Sequence, residues 1–316
     1  MKPFLRGLLA LCAIALPAAA AEPLRVGVPS QGFVFSPLLI GIEQGIFARH
    51  GVTVERQLFS GAAKLTQALT VGATDIVLSG ATDAAYSIKG APETMICAIA
   101  IKALNLGINV GNDIHAVADL KGAKIGVTQT GTVTYWLAKE LARTQGWGEN
   151  GITPIPVGGL TSSQMAALTS GQAQAVIADS SIGLQLEASG RGRLLMTADT
   201  YVPNFLTIAM FGQNDVLKQR PDEIKRFIAA WLDTIALLLN DKPTAVRVAA
   251  AGTELSEAVI SRSYDLQKPQ WSRDGRIDPA QLSQLAKALL DIQLVDELPD
   301  LTKVTTNQFL PTAASN

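Results

Sequence analysis

Four short segments of this chain gather residues able to hold a small molecule through uncharged contacts. The first carries Gln31, Gly32, Phe33, Phe35 and Ser36, and the second Ser79, Gly80 and Thr82, followed by Asp83. The third is Thr128, Gln129, Thr130, Gly131 and Thr132; the fourth is Asp179, Ser180 and Ser181. Hydroxyls, side-chain amides and backbone N–H groups satisfy polar atoms of a ligand, and glycine lets the backbone approach it closely. No Lys or Arg stands in any of the four. Phe33, Phe35 and Tyr201 read as exposed aromatics that could sandwich a flat ligand, whereas Trp136 and Phe205 read equally well as core. A carboxylate at Asp83 or Asp179 would favour an amine or a protonated heterocycle. The competing reading for these hydroxyls and carboxylates is helix capping, where an oxygen accepts a free N–H and an anion meets the helix dipole.

Catalytic signatures are missing. The chain has no G-x-S-x-G, H-E-x-x-H or P-loop sequence. Its two histidines, His50 and His115, are isolated, and His50 closes a helical stretch where the dipole alone accounts for it. Cys97 lies in the apolar run Met95-Ile96-Cys97-Ala98-Ile99 and reads as an inert core thiol. The expectation is a protein that binds rather than converts, with no metal and no cofactor.

Each of the four segments follows a strand-like run and precedes a helical one. Strand candidates fall at 24–28, 52–58, 75–78, 95–101, 124–127, 153–157, 175–178 and 194–197. Helices lie between them at 63–71, 132–145 and 164–169, and another opens at Ser36-Pro37, an N-cap followed by Pro at the first helical position. Such alternation implies parallel sheets built from βαβ units. Ligands of these sheets bind at the carboxyl ends of the strands, where helix N-termini present free N–H groups.

The chain also repeats itself at an offset of 99 residues. Arg25-Val26-Gly27-Val28 returns as Lys124-Ile125-Gly126-Val127, and Ala68-Leu69-Thr70-Val71-Gly72 as Ala167-Leu168-Thr169-Ser170-Gly171. Two α/β lobes of similar design, each a mainly parallel sheet flanked by helices, are therefore expected in tandem with their loops facing one cleft. Residues 22–113 plus 206–316 would form the first lobe and 114–205 the second, joined by crossing strands near 110–117 and 200–206. After a last strand at 206–211 come only helices, at 221–240, 243–251, 256–266 and 279–292. This run brings no new sheet and is expected to fold back over the first lobe.

Residues 1–21 read as an export signal. Lys2 and Arg6 precede the apolar stretch Leu8 to Leu16, Pro17 ends it, and Ala19-Ala20-Ala21 supplies the cleavage site, placed after Ala21. Leu11 before Cys12 does not suit a lipoprotein signal, so the mature chain would keep Cys97 alone, without a disulfide. A net charge of −1 with no basic stripe argues against nucleic acid and anionic membrane surfaces as partners.

Longer stretches carry a resemblance. Ser36-Pro37-Leu38 with Glu43-Gln44-Gly45-Ile46-Phe47-Ala48-Arg49-His50-Gly51-Val52-Thr53-Val54-Glu55 resembles the opening of type II periplasmic solute-binding proteins, in the branch serving nitrate, taurine, alkanesulfonates and thiamine-pyrimidine precursors. Asp119-Leu120-Lys121-Gly122-Ala123-Lys124-Ile125-Gly126-Val127 followed by Thr130-Gly131-Thr132 resembles that family's second-lobe start, and Asp222 to Ile228 with Trp231 its first C-terminal helix. The resemblance implies the two-lobed type II fold with two hinge crossovers, and a monomeric periplasmic receptor that closes on a small molecule and delivers it to an ABC permease and its ATPase. Carried over, the first loop, Ser79–Thr82, Thr130–Thr132 and Asp179–Ser181 would line the cleft. The pyrimidine-binding enzymes of the superfamily carry a cysteine-rich motif that this chain lacks. An enzyme on the same fold, pyrimidine synthase-like or chorismate-dehydrating, and a ligand-presenting sensor subunit are the alternatives.

Overall fold

The 99-residue repeat becomes two sheets of one topology in the computed structural model, which describes residues 22–148, 150–253 and 255–312. The export-signal reading falls on 1–21 and lies outside the described residues. Strands β1 (Leu24–Val28), β2 (Val54–Leu58), β3 (Ile76–Gly80), β4 (Glu93–Ala100) and β5 (Leu106–Gly111) are followed by β6 (Lys124–Val127), β7 (Thr153–Pro156), β8 (Ala175–Asp179), β9 (Gly192–Thr197) and β10 (Ile208–Gln213). One sheet has the order β2-β1-β3-β10-β4 and the other β7-β6-β8-β5-β9. Val26 and Gly27 pair with Ile76 and Val77, and Ile125 and Gly126 pair with Ala175 and Val176, the same register 99 residues on. The repeated glycine has the same use in both copies. A Cβ at Gly27 would stand 2.5 Å from Leu65 Cδ1, and one at Gly126 2.9 Å from Val176 Cγ2.

Each sheet contains one strand that runs against its neighbours, β10 in the first and β5 in the second. These two strands change the expected crossovers. The 110–117 segment was expected to cross between lobes, but β5 is fully paired with β8 and β9 and begins at Leu106, so the first passage is 101–105. A border at 113 would cut β5 from its own sheet. The second passage runs through Tyr201 and Phe205 to β10, close to expectation. The passages are tied together: Thr207 Oγ1 donates to Asn105 Oδ1 at 2.9 Å, and Ser180 N donates to Asn105 O at 2.9 Å.

Helices α1 (Ser36–Glu43), α2 (Ile46–Arg49), α3 (Ala62–Thr70) and α4 (Ala84–Ile88) flank the first sheet; α5 (Val133–Thr144), α6 (Thr161–Thr169) and α7 (Ser180–Ala188) flank the second. The tail adds α8 (Asn214–Gln219), α9 (Pro221–Asn240), α10 (Lys242–Gly252), α11 (Glu257–Gln267) and α12 (Pro279–Asp291). Helix α9 buries Ile224, Phe227, Ile228, Trp231, Ile235 and Leu238, the stripe expected of a helix with one face on a core. It packs on α1 and α2, with Phe47 and Phe227 stacked at 5.0 Å. The tail does not stay on the first lobe, however. Helix α11 packs on α7 and α12 touches α5, so both also reach the second lobe.

Two acids are buried beneath α4. Asp83 stands at the N-cap of α4 yet makes no capping bond; instead Thr66 Oγ1 donates to its Oδ2 at 3.4 Å. Burial pushes the Asp83 carboxyl up to about 7, against the stabilising hydroxyls of Ser79 and Thr66. Burial first, then the charge of Asp83, pushes Glu93 up to about 8, although the Ser87 hydroxyl donates to its Oε1 at 3.3 Å. Both folded values exceed those of an unfolded chain, about 4. The native state therefore holds protons that the unfolded state releases, and its stability falls as pH rises through 7 and 8. Thermal melts should give a lower Tm at pH 9 than at pH 5.5. Glu93→Gln, which cannot ionise, should flatten that slope and stabilise the protein at pH 9 by about 2 kcal/mol. An equal slope in the variant would refute the assignment.

Candidate functional site

The ends of β1 and β8 meet across the gap between the lobes. Asp179, the last residue of β8, caps α7: its Oδ1 accepts from Ser181 N at 2.9 Å. Its Oδ2 points at the first loop, 3.1 Å from where a Cβ on Gly32 would stand. Asp179 thus caps its helix and also faces the first loop. Burial raises its pKa, and the Ser181 contacts oppose that rise.

From Gly32 the contacts continue around a ring. Phe33 is fully buried and meets Trp271 edge-on, with ring centroids 6.2 Å apart. Trp271 bridges to Ala100 at the end of β4, and Gln270 O accepts from Ile101 N on the first passage. Gln270 Nε2 donates to Gln267 Oε1 at 2.9 Å, and Gln267 Nε2 to Ser180 Oγ at 3.1 Å. Ser180 adjoins Asp179 and closes the circuit. First lobe, second lobe and C-terminal tail each contribute to it. Outside the ring the pair Arg262–Glu187 also ties α11 to α7.

Two buried side-chain atoms on this ring, Gln270 Oε1 and Trp271 Nε1, have no hydrogen bond, nor does Ser263 Oγ one turn before Gln267 on α11. Leaving such a group unpaired costs about 1–3 kcal/mol, so a native fold keeps several together only where something else satisfies them. A surface hollow of about 450 Å³ lies elsewhere, lined by His50, Lys225, Arg226 and residues 308–312 where α2 leads into β2. His50 there shares a hydrogen bond with Asp233 Oδ2 at 2.7 Å, a side-chain partner beyond the helix dipole.

The structure distributes the other expected residues unevenly. Gln31 is exposed beside the ring, and Phe35 is buried with Phe33, so the first-loop aromatics are not open to solvent as expected. Ser36 is the first residue of α1 and does not cap it; the N-cap residue is Phe35. Ser79 is the next-to-last residue of β3, paired with Ala209, and Thr82 is buried in the turn that α12 covers. Gln129 and Thr130 are exposed, Gly131 faces Leu294 of the tail, and the Thr132 hydroxyl is spent on Gln129 O at 2.7 Å and on Thr134. Tyr201 is half-buried with its hydroxyl enclosed, its pKa raised by burial, and it packs into the core between the lobes. Trp136 stacks on Phe205 at 4.7 Å, and both are buried. The ring's tail residues Gln267, Gln270 and Trp271 were missed from sequence. A signal existed: Ser263 and Gln267 occupy positions on α11 that share the buried face with Ile260 and Tyr264.

Among the described residues no three His, Cys, Asp or Glu side chains gather as a metal site, and no helix is long and apolar enough to cross a membrane. Burial pushes the Cys97 thiol up to about 12, which removes it as a nucleophile near neutral pH.

Known proteins fit this geometry. Residues 33–245 match the NMT1/THI5-like family, and the chain belongs to it. A curated relative from Brucella abortus, named only as a binding protein, is 26% identical over 209 residues, which span 66% of this chain and 64% of the relative. The chain therefore aligns with about two thirds of that relative's length. Among solved structures, the ligand-binding component of an ABC-type import system from Staphylococcus aureus superposes with a TM-score of 0.79 at 15% identity, over 90% of this chain and 97% of its own. The alkanesulfonate-binding protein of Xanthomonas axonopodis gives 0.76 at 18%, over 92% and 99%. A desulfurization enzyme gives 0.66 at 16%, over 91% and 97%, so the fold also carries catalysts. The two-lobed periplasmic-binding-protein fold is that of this chain, and most of these neighbours are binding proteins.

Proposed function

We propose that this chain is an extracytoplasmic solute receptor of an ABC importer, which captures one small organic molecule between its lobes and presents it to a permease and its ATPase. The ring that joins Gly32 and Phe33, Asp179 and Ser180, and Gln267 to Trp271 carries this reading. It brings the unpaired buried atoms Gln270 Oε1 and Trp271 Nε1 to where both lobes and the tail meet, a place that a hinge motion of the lobes would open and shut. Contacts made only in the closed form couple ligand to closure, and the closed form is what a permease would recognise. The Ala19-Ala20-Ala21 segment supports export to the periplasm, and the receptor would act as a monomer.

An enzyme on this fold is the second reading, favoured by the desulfurization enzyme alone. The ring holds no histidine or thiol, and its one carboxylate already caps α7. Native mass spectrometry of freshly purified protein tests both readings. The receptor predicts one small molecule per chain, recovered unchanged after incubation. Recovery of a converted product would establish the enzyme, and absence of any ligand-dependent mass or melting shift across a metabolite set would refute the receptor.

A further inference from the structure

The ring is polarised: most of what it leaves open accepts hydrogen bonds. Asp179 accepts from Ser181 N on Oδ1, while its Oδ2 is aimed at Gly32. Gln270 is fully buried; its Nε2 is used on Gln267 while its Oε1 has no partner. Gln267 is fully buried as well and is spent on Ser180 and Gln270. Whichever way the two amides are turned, an ionised Asp179 can only accept. Among the ring's side chains the obligate donor without a partner is Trp271 Nε1. No cation belongs to the ring. Arg262 is paired with Glu187, and Lys268 lies over the Tyr264 ring at 5.7 Å.

A half-buried carboxylate of this kind is stabilised by a cation or by charged N–H donors and opposed by an anion. We propose, resting on the receptor reading above, that the cleft selects a positively charged nitrogen ligand, an organic ammonium or protonated amino-heterocycle. Its N–H groups sit on Asp179 Oδ2 and the Gln270 carbonyl, its acceptor faces Trp271 Nε1, and its apolar body lies on the Phe33–Trp271 pair. This is the opposite charge from the sulfonate named for one of the structural neighbours.

Asp179→Asn gives a clean test. Asparagine caps a helix as well as aspartate does, so the variant keeps α7 and loses only the charge. The full mature chain and the variant are screened by thermal shift against a charge-sorted set: putrescine, benzylamine, benzamidine and 4-aminopyridine against methanesulfonate, ethanesulfonate, benzoate and nitrate. Titration calorimetry then measures the hits, and the charge of any co-purified molecule is read by native mass spectrometry. The expected result is binding confined to nitrogen cations, weakened about 30-fold or more in Asp179→Asn while the Tm of the free protein stays within about 2 °C. Anion binding, or cation binding indifferent to Asp179→Asn, overturns the charge assignment and leaves the receptor intact. No binding in either class, with no co-purified molecule, overturns the receptor reading itself.

Discussion

Gly32→Leu is expected to weaken ligand binding about 100-fold or more while leaving the Tm of the ligand-free protein nearly unchanged. Gly32 has φ −61° and ψ 151°, an extended conformation open to any L-residue, so the substitution brings no backbone strain. The new side chain would instead begin 3.1 Å from Asp179 Oδ2, with Ser30 Oγ at 3.6 Å and Phe35 Cδ2 at 4.0 Å. The remaining leucine atoms must occupy the space around which the ring closes. Within either lobe alone nothing is lost, because each keeps its own sheet and helices. The cost falls on the closed arrangement only. A penalty of about 3 kcal/mol on closure lowers the competent population by two orders of magnitude, and apparent affinity falls with it. Calorimetry against the wild-type ligand, with melts of the free proteins alongside, separates the two effects. Unchanged affinity would place the ligand away from the ring.

The sequence carried the fold clearly and the site only in part. The repeat was legible because Gly27 and Gly126 sit at one register in two like sheets, where each lets a neighbouring side chain press on the backbone. Helix α9 was legible to the residue, since Pro221 opens it and its apolar stripe is unbroken over five turns. Strand β5 was not, because Leu106 to Gly111 follows a passage of similar composition, and only pairing with β8 and β9 distinguishes strand from connection. At the site, Asp179 and Ser180 could be found because strand-end loops are where such sheets bind. Gln267, Gln270 and Trp271 belong to a segment more than 80 residues downstream of them, and no local pattern says which loops it will face. Thr130 and Gln129 stand apart from the ring although the right residue types stood at a strand end: both stay exposed, and the next residue, Gly131, meets Leu294 of the tail.

Burial also redistributed the roles given to polar groups. Asp83 and Asp179 occupy like places in the two lobes, yet only Asp179 caps its helix. Asp83 turns inward to Thr66 and is coupled by charge to Glu93. One copy of the repeat has become an acid pair that titrates near neutrality, and the other a cleft wall. Duplication sets the backbone, and the side chains around each carboxylate decide its chemistry.

Gly183→Ala should have the opposite signature from Gly32→Leu, losing stability and affinity together. In an exposed helix this change would stabilise by about 1 kcal/mol. Here α7 lies directly on β9, and a Cβ at Gly183 would come 2.5 Å from Leu194 N and 2.6 Å from Asn109 Oδ1, contacts that cannot be relieved by rotating a side chain tip. Asn109 is fully buried and holds the region: its Oδ1 accepts from Gly183 N at 2.8 Å, and its Nδ2 reaches the carbonyls of Gly107, Val176 and Asp179 at 3.2–3.3 Å. Lifting α7 off β9 breaks that node. Overpacking and unpaired buried groups together give an expected loss of about 3–5 kcal/mol, seen as a Tm lower by about 6–12 °C. Because Asp179 and Ser180 ride on the first turn of α7, the ring loses its second-lobe half, and ligand affinity should fall at least tenfold in the same protein. A variant that melts early but binds normally would show that α7 does not position the site, and the ring would have to be redrawn without it.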